Sequence, residues 1–476
     1  MRRALHATRC SVRSSRPPLP QRQPTRKRDL HVYTHGEGFL GALGHGDFSA
    51  RTDAALVAEL ASRNVRCASA GWTHSAAVCG DTGEVLVWGR PFDLKQPLRI
   101  ARIQRLVPIV VTAINALASS REVLTSPVSM PLIADPGPEW TSTTLASAFH
   151  DARPAPQQQR QQQQEQEQPS PAPPLPPSSS SSSSSSKIRA KSVACSAALT
   201  VVLSEDGNVY CMGYNRWGQC GQGPKNVFTV FEPLRVGRGR ALEREKVVKL
   251  AVGFQQVLVL CESGRVYGWG KGLRGQLGIG GEMIELPELA VELPGRTVDL
   301  RSGFSHAVAV LENGEVYTWG KMQGAEVKTE GRVPVYHDQL YPRKVDIVGG
   351  GRVVEAFCSS FNTLLRMEDG RVLMSGLEAD TRKSVQTPVE VDIPPSEPGS
   401  FFDGFHDTIV RATAPGPGKR EAPATEQVPG DAPAFYRISF TSVGASVTPF
   451  ALPGLPHGSR MESVSVGWKH TVALVH

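Results

Sequence analysis

The segment VVKLAVGFQQVLVLCESGRVYGWG at 247–270 returns 50 residues later as VDLRSGFSHAVAVLENGEVYTWG at 298–320, and this self-similarity restricts the possible folds more than any global property. The same frame holds for VVEAFCSSFNTLLRMEDGRVLMSG at 353–376 and VACSAALTVVLSEDGNVYCMG at 193–213. With one extra turn residue it also holds for CASAGWTHSAAVCGDTGEVLVWG at 67–89. Each copy reads as an alternating apolar strand, a short Gly-containing turn, and a second strand ending in an aromatic residue and Gly, which is the pattern of a hairpin. Val266, Gly268 and Gly270 alternate with Tyr267 and Trp269, so one set falls on each face of a sheet. A glycine-rich segment follows the hairpin, as GKGLRGQLG at 270–278, GYNRWGQCG at 213–221 and GEGFLGALG at 36–44.

A unit of 50 to 57 residues that yields about four strands cannot bury both faces of its sheet alone, so the copies must stack linearly or radially. The segment VSVGWKHTVALVH at 464–476 is the first half of a repeat, and HVYTHGEGFLGALG at 31–44 is the complementary second half. Pairing them in one blade leaves no exposed sheet edge, which favours a closed ring. Hairpins begin near 67, 193, 247, 298 and 353, and the two terminal pieces make a sixth blade. FFDGFHDTIVRA at 401–412 with FYRISFTSV at 435–443 supplies a seventh as an interrupted hairpin. The reading is all-β, a seven-bladed β-propeller over 29–476 closed by pairing of its N- and C-terminal strands. The 46 Gly and 37 Pro agree with turns rather than a helical bundle. Two stretches stand outside this core as disordered insertions: 136–187, with its Gln tract and unbroken Ser178 to Ser186, and the Pro/Gly-rich 412–433. Val110 to Ser119 reads equally as a short helix or strand beside the second blade.

Net charge is +7, but nine of the 52 Lys and Arg residues lie in the first 28 positions, ahead of any acid. Without them 43 basic residues face 45 acidic ones, a body at about −2 that offers no general attraction for DNA. The Arg-rich, acid-free leader 1–28 reads as an organelle-targeting presequence, mitochondrial in type with a plastid address as the alternative. The eight cysteines form no CxxC pair and read as buried thiols in a reducing compartment. The longest apolar run, Leu106 to Ala118, is too short to cross a bilayer as a helix, so peripheral association is the only membrane contact left open.

GxGxxG occurs at Gly36, Gly38 and Gly41 and at Gly270, Gly272 and Gly275, after a strand, as in a dinucleotide-binding turn. Here it leads into AlaLeuGly or GlnLeuGly instead of a helix whose N-terminus could receive a pyrophosphate, so no cofactor site is expected. His74, His306 and His470 each follow a turn Gly by three residues, with Gln256 and Asn362 at the matching place. An amide that replaces an imidazole indicates a structural hydrogen-bonder, and copies on separate blades should not converge on a metal. Ser75, Ser305 and Thr471 neighbour these histidines, but nothing supplies an oxyanion hole, so no catalytic residue is assigned. Trp72, Trp88, Trp269, Trp319 and Trp468 are expected to seal one blade against the next, and Gly89, Gly213, Gly270 and Gly320 end the second strands. Trp217 and Arg216, with Lys271 and Arg274 of the matching loop, are the candidate partner-binding residues, because loop Trp and Arg dominate interface energetics.

The succession GxxHxxAL, DGxVYxWG and GxxGQLG resembles the repeat of the regulator of chromosome condensation family over roughly 31–90 and 190–476. The resemblance implies a seven-bladed propeller closed by its two ends. VYTHGEGFLGALGHGDF, GYNRWGQCGQG and the basic leader are most similar to the mitochondrial branch of these propellers. Founding members exchange guanine nucleotide on a small GTPase, and mitochondrial relatives are linked to exchange on a membrane-fusion GTPase and to mitochondrial ribosome biogenesis. The acidic catalytic loop of the exchange factors matches no position here. A light-sensing branch carries GWRHT, and this chain has GWTHS at 71–75 and GWKHT at 467–471, but Phe254 and Phe304 replace the Trp in other copies. The resemblance thus implies a non-enzymatic scaffold for a protein or ribonucleoprotein partner in mitochondrial ribosome or RNA maturation. The alternative is a guanine nucleotide exchange factor for an organellar GTPase.

Overall fold

In the computed structural model the described residues lie between 30 and 476. Those outside it are 1–29, 92–122, 133–187, 223–228, 239, 288–289, 322–325, 328–334, 360, 378–383, 393–433, 442–443, 457–458, 460 and 468–469. The leader, both expected insertions, Val110 to Ser119 and 401–412 therefore lie wholly or almost wholly outside the described residues.

Every copy of the repeat contains the expected hairpin, but its first stretch divides at a tight turn into an inner strand and a second strand. The second sheet runs Val65–Ala70, His74–Cys79, Val85–Gly89 and Leu124–Met130. The third runs Ala190–Cys195, Leu199–Ser204, Val209–Tyr214 and Thr229–Arg235. The fourth has Val247–Val252, Gln256–Cys261 and Val266–Gly270, with its outer strand reduced to bridges at Tyr267↔Ala290 and Gly270↔Ile284. The fifth contains Thr297–Ser302, His306–Leu311, Val316–Gly320 and Gln339–Lys344. Each inner strand pairs with a register shift after its first residue, as between Val247 and Lys249 or Thr297 and Asp299. A bulge repeated at one place bends every inner strand alike.

The first sheet joins the two extremities: His31–Gly36 pairs with His470–Val475 from His31↔Val475 to Gly36↔His470, flanked by Arg51–Leu56 and Met461–Val466. A sixth sheet begins with Val353–Cys358, Asn362–Met367, Val372–Leu377 and Ser384–Asp392. Its continuation brings in 435–443, whose expected partner 401–412 lies outside the described residues. Ala434–Thr441 pairs with Gly444–Ala451, from Ala434↔Ala451 to Thr441↔Gly444, and Gly444–Ala451 lies parallel to Ser384–Asp392. A two-residue connection closes this local hairpin at little entropic cost.

Consecutive sheets pack chiefly through their inner and second strands, and the core is a chain of apolar clusters at these seams. The central strands are buried throughout: HSAAVC at 74–79, QVLVLC at 256–261 and HAVAVL at 306–311. Among the described residues the helical content is three short 3₁₀ turns, and no helix is long and apolar enough to cross a membrane.

Candidate functional site

The recurrent polar residues tie each sheet to the next. His74 Nε2 lies 2.9 Å from Thr200 Oγ1, His470 Nε2 2.9 Å from Ser75 Oγ, and His306 Nε2 3.1 Å from Thr363 Oγ1. Gln256, in the same column, donates from Nε2 to the Gly303 carbonyl at 3.3 Å. Burial drives the His74 imidazole down to about 3, helped by the neighbouring His470, and burial takes His306 down to about 4. Both rings are therefore neutral at physiological pH. Ser75 and His470 have the spacing of a nucleophile and base, yet the hydroxyl is fully buried and donates to the Ala42 carbonyl at 3.1 Å. A hydroxyl has one proton, so His470 Nε2 must carry the hydrogen towards it, the reverse of nucleophile activation.

The tryptophans of the third strands close on the glycine-rich loop of the preceding sheet. Trp88 Nε1 donates to Ala42 O at 2.9 Å, Trp269 Nε1 to Gln219 O at 3.1 Å and Trp319 Nε1 to Gln276 O at 3.1 Å. All three indoles are fully buried. The last glycine of each loop makes room for them: a Cβ on Gly221 would sit 3.0 Å from Trp269 Nε1, and one on Gly278 2.9 Å from Trp319 Nε1. Both also have φ in the left-handed region, +63° and +74°. The motif that imitates a phosphate loop thus receives an indole.

Trp72 departs from the expectation that it seals a blade. It stands in the turn between inner and second strand, and its ring centroid lies 4.4 Å from Phe254 and 5.9 Å from Phe304. Phe254 stacks on Phe304 at 4.3 Å, and Phe304 meets Phe361 at 5.7 Å. The turns of four sheets so form one aromatic row at one mouth of the molecule, with Phe361 45% exposed. A basic residue is fixed beside three of these turns by its own backbone N–H: Arg90 to Thr73 O at 2.7 Å, Lys271 to Gln255 O at 2.9 Å, and Lys321 to Ser305 O at 2.8 Å.

The proposed contact residues fall partly into this mouth. Lys271 Nζ is 4.6 Å from the Trp217 ring centroid and 3.1 Å from Gln255 Oε1, while the Arg216 guanidinium is 5.8 Å from the same ring. Trp217 is accordingly half-buried beneath cations. Burial, then the charge of Arg274, lowers the Lys271 pKa. Arg274 itself points to Asp338, at 2.9 Å.

A partly buried charge network, with Asp299 at its buried centre, joins neighbouring inner strands. Lys249 contacts Asp299, Arg301 reaches Asp299 at 3.6 Å and Glu355 at 3.4 Å, and Arg366 reaches Glu355 at 2.8 Å. Burial raises the Asp299 pKa, but Arg301, Lys249 and the Ala356 N–H outweigh it and hold the carboxyl below its ordinary value. The signal was available: the third residue of the inner strands reads Cys67, Ser192, Lys249, Asp299, Glu355, Ser463, and three consecutive copies turn charged. Among the described residues no group of His, Cys, Asp and Glu could hold a metal.

The "Regulator of chromosome condensation (RCC1) repeat" family matches residues 206–260 and 263–310, and a second profile of the same repeat matches 247–276 and 298–323. Similar curated proteins include the "Ultraviolet-B receptor UVR8" of Arabidopsis thaliana, 38% identical over 81 residues, 17% of each chain. The "RCC1-like G exchanging factor-like protein" of Mus musculus is 31% identical over 116 residues, 24% of each chain. The "Secretion-regulating guanine nucleotide exchange factor" of Bos taurus is 36% identical over 85 residues, 17% of each. The matched stretch spans under a quarter of the length of each of these relatives. Among solved structures, human WBSCR16 aligns with a TM-score of 0.54 at 15% identity, covering 94% of this chain and 99% of that one. Prp20p of Saccharomyces cerevisiae, described with its binding to Gsp1p and histones, aligns at 0.56 and 15% identity, covering 94% and 92%. At this identity the likeness concerns the fold, an all-β propeller.

Proposed function

This chain carries regulator of chromosome condensation repeats, and on that premise we propose that it works as a non-enzymatic binding propeller whose loops present a surface to a protein or ribonucleoprotein partner. One observation carries the reading. The repeated groups that look capable of chemistry, the His column and the indole N–H groups, are consumed in tying sheet to sheet. The aromatic and basic residues left at one mouth are suited to contact, not reaction. The pairing of His31–Gly36 with His470–Val475 supports closing the sheets into a ring.

The site of action we propose is the mitochondrion, in ribosome or RNA maturation. Its support is the basic leader, with nine Lys and Arg in 28 residues, and the GYNRWGQCGQG segment. A fusion of residues 1–35 to a fluorescent protein should enter mitochondria, and cytosolic or plastid fluorescence would refute the address. Affinity capture from mitochondria should recover ribosomal particles or RNA-modifying enzymes, and recovery of neither counts against the scaffold.

The second reading is guanine nucleotide exchange, favoured by the similarity to the bovine secretion-regulating exchange factor and the murine exchange-factor-like protein. Stopped-flow release of labelled GDP from organellar GTPases separates the two. Acceleration at micromolar chain favours exchange, and an unchanged rate favours the scaffold.

A further inference from the structure

The aromatic row and the Trp217 loop form one continuous surface. Lys271 joins them: its ammonium stands over Trp217, its Nζ donates to Gln255 Oε1, and its backbone N–H donates to Gln255 O, in the turn that carries Phe254. Phe254 N–H in turn donates to Phe304 O at 3.1 Å, and Trp72 N–H to Ser196 O at 3.2 Å, so the turns are tied into one rim. Lys321 repeats the placement of Lys271 one sheet further on and is exposed, as is Arg216.

We propose that this mouth is a docking site for an acidic protein segment, with an apolar side chain set on the Trp72–Phe254–Phe304–Phe361 row and carboxylates reaching Lys271, Lys321 and Arg216. The proposal rests on the reading of the chain as a binding propeller and names the chemistry of its partner. Charge complementarity selects the sign: cations collar the row, and Lys271 already feels the repulsion of Arg274, which a carboxylate would relieve. Ring geometry selects protein over nucleic acid. Phe254 and Phe304 lie only 12° from parallel and occupy each other's faces, so what they offer outward is mainly ring edges for aliphatic contact, not free faces for a nucleobase.

The test is fluorescence anisotropy on the full chain with three labelled probes: a short peptide of Glu with interspersed Leu, the same peptide with Gln for Glu, and oligouridine. The acidic peptide should bind, and the Gln peptide should bind about tenfold more weakly. Lys271→Glu with Lys321→Glu should lose about tenfold in affinity for the acidic peptide. Phe361→Ala should lose affinity for both peptides. Lys321→Glu alone, at an exposed position, serves if the double variant loses its native circular dichroism. Equal affinity for the two peptides, binding untouched by the Lys variants, or preference for oligouridine each overturns the proposal. If mitochondrial partners are captured equally by wild type and the Lys variants, the scaffold stands and this mouth is not its contact. If no partner is captured while the acidic peptide binds, the cellular reading fails and the site chemistry survives.

Discussion

The repeat places large aromatics at two positions, and they meet opposite fates. Trp88, Trp269 and Trp319 lie at third-strand ends, are wholly buried, and spend their only donor on a loop carbonyl of the preceding sheet. Trp72, Phe254, Phe304 and Phe361 lie only a turn away on the inner rim, remain partly exposed, and meet one another ring against ring. The first set is bounded on every side by chain from two sheets, whereas the second is bounded on one side by solvent. Burial and a satisfied N–H turn an aromatic into a structural tie, and the same residue type at an open rim is available to a partner.

Trp269→Ala should sharpen this contrast most, lowering unfolding stability in urea by about 3–5 kcal/mol, because it opens a cavity at the seam and orphans the Gln219 carbonyl. His306→Ala should cost less, about 2 kcal/mol, by leaving Thr363 without its partner. His306→Gln should cost roughly half of that, since Gln256 already fills the equivalent place. Acid acts on the same column. The native pKa values of His74 and His306, about 3 and about 4, lie below the unfolded value of 6.5, so the unfolded chain binds the extra protons. The neutral rings' contribution is complete above pH 6.5 and is lost as pH falls from there towards 4, at up to about 1.4 kcal/mol per unit for each ring. Thermal melts across this window should show the decline, and His306→Gln should flatten it. Phe361→Ala, at the open rim, should change stability least, by about 0.5 kcal/mol or less. A loss there as large as that of Trp269→Ala would break the comparison and assign the row to the core.

The hairpins were legible because strand alternation and turn glycines are local: VYGWG at 266–270 announces both the strand and its end. The eroded blade was not. Ala434–Thr441 was legible as a strand, but its pairing with Gly444–Ala451 was not, since no glycine or asparagine at 442–443 marks the connection. The partner-binding candidates were half legible. Trp217 stood out as a loop aromatic, yet the cation above it comes from Lys271, on another sheet. Trp72 was misread because the repeat column alone does not distinguish a seam from a rim. Asp299, Arg301 and Glu355 looked like ordinary strand charges until neighbouring inner strands set them together.

From its residues alone this protein declares its repeating unit, the strands within it and the turns between them, since each depends on neighbours a few positions away. Which surfaces touch was decided by the packing of sheet on sheet. Only there do residues some fifty positions apart come within bonding distance, and only there is one aromatic enclosed while its counterpart is left open to the solvent.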